Sequence, residues 1–170
     1  MIETAFTKIR EELSFLRESG QKEYAHKVDD AFGNFRRIAD LMGISMERVL
    51  LVYALKHMDG IIAWYEGHKS QRENVSGRIN DLIVYLVLLY AMQVTAYKSS
   101  RKDVANLLDD LLDEAEAYIA SYSRPEHHLS PFQEVNISMQ KFARGNIDPS
   151  SIRDTIAEAL ALRLEVMDDE

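Results

Sequence analysis

Three groups of polar residues recur at helical spacing, and their chemistry is that of a site for a charged small molecule. Arg78, Asp81 and Tyr85 lie three and four residues apart, so a helix would place them on one face of an otherwise very apolar segment. Guanidinium and ammonium groups hold phosphates, carboxylates and amides pair with base or ribose edges, and aromatic rings stack on bases. This group can belong to a ligand site, and it can equally be a polar stripe that needs no ligand.

The second group lies on the preceding predicted helix. Tyr53, His57, Gly60 and Trp64 share one face, and Lys56 lies at its margin. A glycine inside a helix costs about 1 kcal/mol relative to alanine, so the position needs a reason. We expect another group to approach the helix backbone closely at Gly60.

The third group lies on the predicted helix that precedes the one with Tyr53. It consists of Asp30, Asn34 and Arg37, with Gly33 nearby, beside the apolar face of that helix. Such polar stripes are only informative if they are buried. A pair of opposite charges on one helix, such as Arg78 and Asp81, is worth about 0.2–0.5 kcal/mol when exposed. Burying the two charges costs several kcal/mol each, so a buried stripe needs further partners or a ligand.

Several of these residues also have a purely structural explanation. Glu73 has the spacing of a capping box with Ser70, which accounts for it without a ligand. His57 taken alone fits a partly buried histidine with satisfied hydrogen bonds. Trp64 fits the core or an interface as well as it fits base stacking.

The helices that position these residues are predicted from apolar spacing and end signals. Apolar residues recur every three or four positions over residues 2–16, which predicts a first helix that ends at Gly20. A second helix is predicted over about residues 22–42. Gly43 follows it, where a left-handed cap would need a glycine.

Capping residues mark the later helices. Ser45 begins a third helix that reaches about residue 65, and the Ser70 and Glu73 pair begins a fourth that reaches about residue 97. Ser100 and Asp103 repeat the capping-box spacing for a fifth. A sixth helix is predicted over residues 132–142, and a seventh begins at Pro149.

Composition supports the same architecture. The chain has 170 residues, 46% of them hydrophobic, with 7 Gly, 3 Pro and no Cys. This excludes disulfide frameworks, thiolate zinc sites and cysteine nucleophiles, and strand-like alternation between hairpin turns is missing. We therefore predict an all-α, single-domain bundle of six or seven helices over residues 1–170.

The charge is uneven along the chain. Residues up to Lys102 hold 15 Lys and Arg against 13 Asp and Glu, whereas those from Asp103 onward hold 5 against 15. This divides the domain into a core over residues 22–98 and an acidic helical extension over residues 99–170. The net charge of −8 argues against binding to duplex nucleic acid.

The longest apolar run, residues 82–92, is too short to span a bilayer, and the N-terminus reads as an amphipathic helix and not as a signal peptide. We therefore expect a soluble, cytoplasmic protein that does not bind membranes.

The acidic run DDLLDEAE at residues 109–116 has oxygen ligands that suit a divalent ion, but a solvated helix face is the favoured interpretation. His127 and His128 lie in a loop without the spacing of a zinc pair, and we interpret them as surface residues.

Three segments of the chain resemble, in order, a group of phage-encoded proteins called nucleotide modification associated. These segments are FGNFRRIADLMGIS, LKHMDGII and RENVSGRINDLIVYLVLL. That group is similar to the all-α nucleotide pyrophosphatases, the superfamily of MazG and the dimeric dUTPases. The resemblance covers about residues 22–95. It implies a helical, usually oligomeric fold in which magnesium, held by acidic residues of two neighbouring helices, binds nucleotide phosphates.

Position by position, the resemblance assigns roles to few residues. Asn34 and Phe35 resemble the family's Asn-Phe pair, and Lys56 resembles the lysine of its Asp-Lys step. The Glu, Asp and Tyr of the family's most characteristic helix are matched by Glu73, Asp81 and Tyr85. The full set of candidate ligand-binding residues is Asn34, Arg37, Lys56, His57, Trp64, Arg72, Glu73, Arg78, Asp81 and Tyr85.

The departures from the family pattern bear on catalysis. Leu55 stands where the related enzymes place an aspartate, and the paired ExxE and ExxD carboxylates of MazG proteins are missing. Two carboxylates beside several cations make a poor magnesium cage. We therefore assign no catalytic residue, no metal ligand and no cofactor.

The leading hypothesis is a phage nucleotide-binding protein that sequesters a cyclic or modified nucleotide signal of antiphage defence in the host cytoplasm, without hydrolysis. One alternative is a magnesium-dependent nucleoside triphosphate pyrophosphatase of nucleotide-pool or modified-DNA metabolism, with Asp59 or the carboxylates of residues 109–116 completing the metal site. The other is a protein-interaction module that binds no nucleotide. Under each hypothesis we expect a homo-oligomer, a dimer or tetramer.

Overall fold

The computed structural model describes residues 2–24, 29–69 and 72–167. Within these ranges the chain is all helical, which confirms the predicted all-α single-domain bundle. The described helices are α1 (Ile2–Tyr24), α2 (Gly33–Met42), α3 (Met46–Tyr65), α4 (Val75–Val94), α5 (Arg101–Ser121), α6 (Pro131–Ala143) and α7 (Pro149–Met167).

The apolar helix α4 is the centre of the bundle. It packs most extensively against α3 and α7, and it also contacts α1 and α5. Leu82, Ile83, Leu86 and Leu89 are almost completely buried on it. Among the described helices α4 alone has the length and hydropathy of a membrane span, but 67% of that apolar window is buried inside the protein. This is the pattern of a core helix, and it is consistent with a soluble protein.

The predicted helix ends are confirmed at several places. Gly43 ends α2 in the left-handed conformation with φ of +66°. The hydroxyl of Ser45 accepts a hydrogen bond from the Arg48 N–H at 3.3 Å, and Ser100 with Asp103 forms the predicted capping box of α5.

The start of the chain differs from the prediction. Helix α1 continues through Gly20 to Tyr24, because one glycine weakens a helix by about 1 kcal/mol but does not end it. The predicted second helix from Lys22 is wrong, since α2 begins only at Gly33. Asp30 therefore precedes α2, where its Oδ1 accepts a hydrogen bond from the Phe32 N–H at 3.0 Å.

The start of α4 also differs. Ser70 lies outside the described residues, so its pairing with Glu73 stays a prediction. The residue that caps α4 is Asn74, whose side chain accepts a hydrogen bond from the Gly77 N–H at 2.8 Å. Helix α4 ends at Val94, before the predicted residue 97.

The acidic residues of α5 hold neighbouring helices. Arg10 of α1 forms ion pairs with Asp113 and Glu116, and Arg153 of α7 contacts Glu114 at 2.7 Å. Asp113 and Glu114 stay exposed, as predicted for a solvated face, and Glu116 is only partly exposed beside Arg10. The exposed positions of His127 and His128 agree with their interpretation as surface residues.

A buried arginine joins three helices. Arg163 of α7 is only 2% exposed. Its Nε donates to Oδ1 of Asn80 on α4, and its Nη2 donates to Oε2 of Glu12 on α1, both at 3.0 Å. Asn80 also donates to the same Glu12 oxygen at 2.9 Å. This network fixes α1 against α4, and α1 forms one wall of the pocket described below.

We expect Arg163→Met to lower the free energy of unfolding by about 1–3 kcal/mol, because Asn80 loses its donor while the apolar volume is kept. Urea denaturation measures the change. Arg144→Met, at an exposed position at the end of α6, is the matched control. Equal stability of the two variants would contradict a structural role for the network.

Candidate functional site

A pocket of about 470 Å³ lies between α1, α2, α3 and α4. Its volume falls within the range of about 300–1,000 Å³ that is typical of small-molecule sites. The charged and amide side chains that line it are Arg17, Glu23, Asn34, Arg37, Lys56, His57 and Asp81, and the apolar and aromatic ones include Phe35, Ile38, Tyr53, Val84, Tyr85 and Leu88.

Aromatic rings from three helices form one wall of this pocket. The rings of Tyr53 and Tyr85 are nearly parallel, with centroids 6.2 Å apart and an angle of 9°. Phe35 meets both of them edge-on at 6.4 Å. Tyr53 stays 38% exposed, so it offers a ring face to a ligand in the pocket.

Next to the aromatic wall, three groups that can bind metals or protons come together. Nδ1 of His57 lies 3.4 Å from Oδ2 of Asp81, and the carboxyl groups of Asp81 and Glu73 are hydrogen-bonded to each other. One ligand atom from each of the three residues lies within 4.8 Å of the others. The sequence interpretation placed His57 with these carboxylates among the candidate ligand-binding residues but did not consider it as a metal ligand.

The environment of this cluster changes its proton affinities. Burial, with the adjacent Glu73 carboxyl, raises the pKa of Asp81 to about 7, although Lys56 and Arg78 act in the opposite direction. Burial also lowers the pKa of His57, and Lys56 and Arg78 add to this while Glu73 opposes it. Near pH 7 the imidazole is therefore neutral, and the Asp81 carboxyl is close to half protonated.

Arg78 explains the glycine in α3. An added Cβ at Gly60 would lie 2.4 Å from Nη1 of Arg78 and 2.6 Å from its Cδ. The expected close approach is thus made by the Arg78 side chain, which crosses from α4 onto α3. From there Nη1 reaches Oε2 of Glu73 at 3.7 Å.

The structure brings most of the predicted site residues together. Six of them line the pocket: Asn34, Arg37, Lys56, His57, Asp81 and Tyr85. Glu73 and Arg78 contact this set through Asp81 and through each other. Trp64 and Arg72 do not line the pocket. Trp64 packs half-buried against Tyr65 with centroids 5.0 Å apart, and Arg72 is exposed.

The sequence interpretation did not include α1 in the site. Arg17 and Glu23 of α1 line the pocket, and Arg17 also donates to the carbonyl of Arg101 at 2.7 Å. No local pattern marks these residues, because their position depends on how α1 packs against α4. Asp59 and the acidic run of α5 do not belong to the cluster, whose third member is His57.

Comparisons with protein-family models, with curated proteins and with solved structures found no match to this chain.

We expect Gly60→Ala to destabilise the protein by about 1 kcal/mol net, because overpacking against Arg78 costs about 1–3 kcal/mol and exceeds the gain in helix propensity. Gly20→Ala is the matched control, since a Cβ at that helical position meets nothing within 4 Å. That change should stabilise the protein by up to about 1 kcal/mol. Thermal melts compare the two variants, and stabilisation by both would contradict the close packing of Arg78.

The raised pKa of Asp81 makes stability depend on pH. Between the ordinary value of 3.8 and about 7, the folded protein holds a proton that the unfolded chain has lost. This contribution to stability therefore falls as the pH rises through that window. We expect Asp81→Asn to stabilise the protein relative to wild type, by at least about 1.4 kcal/mol more at pH 8 than at pH 5, which corresponds to one pKa unit.

Denaturation with EDTA present measures this difference without bound metal. Asp110→Asn, which removes an exposed carboxylate of α5, controls for net charge. A difference between Asp81→Asn and wild type that is the same at both pH values would contradict the pKa shift.

Proposed function

We propose that this protein binds a small nucleotide in the pocket between α1 and α4 and holds it without hydrolysis. The observation that carries the proposal is a cation-rich, aromatic-walled pocket in an acidic protein. Three cations, Arg17, Arg37 and Lys56, line it against the two carboxylates of Glu23 and Asp81, although the chain has a net charge of −8. The partial protonation of Asp81 near pH 7 increases the excess of positive charge.

Lys56 and Arg37 are the residues placed to hold phosphate groups. Both line the pocket and are exposed, and within the described residues neither has a carboxylate oxygen within 4.0 Å. An ammonium or guanidinium group without a protein counter-ion binds a phosphate at a lower desolvation cost than one already paired.

The aromatic wall and Asn34 supply the contacts for the base. The exposed face of Tyr53 can stack on a base, and stacking is worth about 1–3 kcal/mol per base. The Asn34 amide lies in the same lining and offers both a donor and an acceptor. Together with the cations, these contacts match the two parts of a nucleotide.

The contacts that Asp81 and Glu73 make within the protein support retention of the ligand without hydrolysis. Asp81 and Glu73 share a hydrogen bond, and Glu73 also contacts Arg78. Phosphoanhydride hydrolysis uses ionised carboxylates to hold magnesium. The role that such binding would serve is sequestration of a cyclic or modified nucleotide signal, with the protein acting as a stoichiometric trap.

The proximity of His57 to the two carboxylates favours a second candidate, a metal-dependent nucleotide phosphohydrolase. A neutral imidazole with a buried Nδ1 and two carboxylates is a donor set that suits Mn²⁺ or Zn²⁺ better than Mg²⁺. His57, Glu73 and Asp81 would hold the ion, which would supply Lewis-acid stabilisation of the charge that develops on a phosphate. Lys56 would orient that phosphate.

Calorimetry against mononucleotides, nucleoside triphosphates and cyclic di- and oligonucleotides tests the proposal, first in EDTA and then with Mg²⁺ or Mn²⁺. We expect metal-independent binding and recovery of the intact ligand by chromatography. Lys56→Ala should weaken binding by about 10- to 100-fold, which corresponds to the loss of a hydrogen bond from a charged group.

Lys141→Ala makes the same charge change on α6, away from the pocket, and should leave the affinity unchanged. Tyr53→Leu should weaken binding of nucleotides but not of inorganic triphosphate, because only the base contact is lost. Metal-dependent turnover would replace the proposal with the second candidate. The absence of binding to every nucleotide in the panel would contradict both.

A further inference from the structure

A second cavity, of about 400 Å³, lies on another part of the bundle, where the first turn of α3 meets the ends of α4 and α6. Its lining includes Glu47 and Leu51 of α3, Gln93 of α4, Tyr97 just beyond α4, and Phe142 of α6. The nucleotide pocket shares none of these residues.

A buried carboxylate is the central feature of this cavity. Glu47 is 8% exposed. One of its oxygens, Oε1, accepts hydrogen bonds from Nε2 of Gln93 at 3.2 Å and from the hydroxyl of Tyr97. Both donors are neutral. Within the described part of the chain, no Lys, Arg or His nitrogen lies within 4.0 Å of Glu47.

Helix ends also contribute partial charges near the cavity. The C-terminal ends of α4 and α6, at Val94 and Ala143, lie beside the lining residues Gln93 and Phe142, and these ends carry the negative partial charge of the helix dipole. The N-terminal end of α3, whose first turn carries Glu47, has the opposite partial charge. Arg48 is exposed where it borders the cavity.

The backbone that carries Tyr97 is strained. Ala96 and Tyr97 both have positive φ, +48° and +65°. Residues with a Cβ rarely adopt this left-handed conformation, and two in succession persist only where the surrounding structure holds them. Here the strain places the Tyr97 hydroxyl on Glu47 and the Tyr97 ring in the wall of the cavity. Such strain is typical of backbone that shapes a binding site.

We propose that this cavity is a binding site for a small organic cation, a primary alkylammonium ion. The ammonium group pairs with Glu47, and the alkyl chain lies along Leu51 and Phe142. An ammonium fits better than a guanidinium, because one carboxylate oxygen already holds two donors and a bidentate fork needs both oxygens. The rings of Tyr97 and Phe142 add cation–π attraction. This site is independent of the proposed nucleotide binding.

The test is a titration of the full-length, isotope-labelled protein with n-butylammonium chloride at constant ionic strength, followed by amide NMR. We expect saturable shifts confined to residues 45–51, 93–97 and 142–147. The neutral isostere 1-butanol should bind at least 10-fold more weakly, because it has the same length without the charge.

Glu47→Gln keeps an oxygen acceptor for Gln93 and Tyr97 but removes the charge, and it should weaken n-butylammonium binding at least 10-fold. Glu126→Gln, at an exposed loop position, makes the same charge change and should bind like wild type. Ala143→Leu narrows the cavity from an exposed helix end, so it tests the site even if Glu47→Gln does not fold, and it should also weaken binding.

Two results would overturn the proposal. One is a wild-type titration without saturable shifts around the cavity, and the other is equal affinity for n-butylammonium and 1-butanol. Neither result bears on the nucleotide pocket, whose ligands are tested separately.

Discussion

The structure depends on how polar side chains are accommodated on α4, its most apolar helix. Four helices surround α4, so any charge or amide on it loses most of its contact with water and must be satisfied from a neighbouring element. Asn80 and Asp81 are consecutive residues and therefore face different neighbours. Asn80 is satisfied by Glu12 and Arg163, whereas Asp81 lies against His57 and Glu73.

The polar environments of Asn80 and Asp81 differ in the kind of partners that they contain. The Asn80 network connects α1 and α7 to the core, and among the described residues only Nη1 of its Arg163 lacks a hydrogen-bond partner in it. The Asp81 cluster places a carboxyl beside another carboxyl and a neutral imidazole, which raises the pKa of Asp81 to about 7. Such an arrangement costs stability, and shifted proton affinities of this kind are concentrated at functional sites. The pocket with the aromatic wall and the cations adjoins this cluster.

The charged side chains of the protein also differ in whether they have a partner on a neighbouring helix. Part of the acidic second half of the chain is paired, because Arg10 of α1 and Arg153 of α7 form ion pairs with carboxylates of α5. Lys56 and Arg37 have no such partner among the described residues and stay available at the pocket. A protein with a net charge of −8 thus keeps a locally cationic site. Exposed charges are screened within about 8–10 Å at physiological salt, so the local environment decides what the pocket attracts.

By itself the sequence determined the helical class, most of the helix ends and two of the three polar groups, because periodicity and capping depend on residues close together in the chain. Gly43, Ser45 and Ser100 are examples in which one residue and its near neighbours suffice. It also indicated that a group would approach Gly60. Only the tertiary structure decided that this group is Arg78, because helix crossing depends on contacts between distant segments.

The same reason explains why α1 was missing from the predicted site and why His57 was not predicted as a possible metal ligand beside Glu73 and Asp81. The buried setting of Glu47 likewise comes from α4 and α6, which lie far from it in sequence. The packing of the helices decides which polar residues are buried and which neighbours face them. Local sequence patterns do not contain that information.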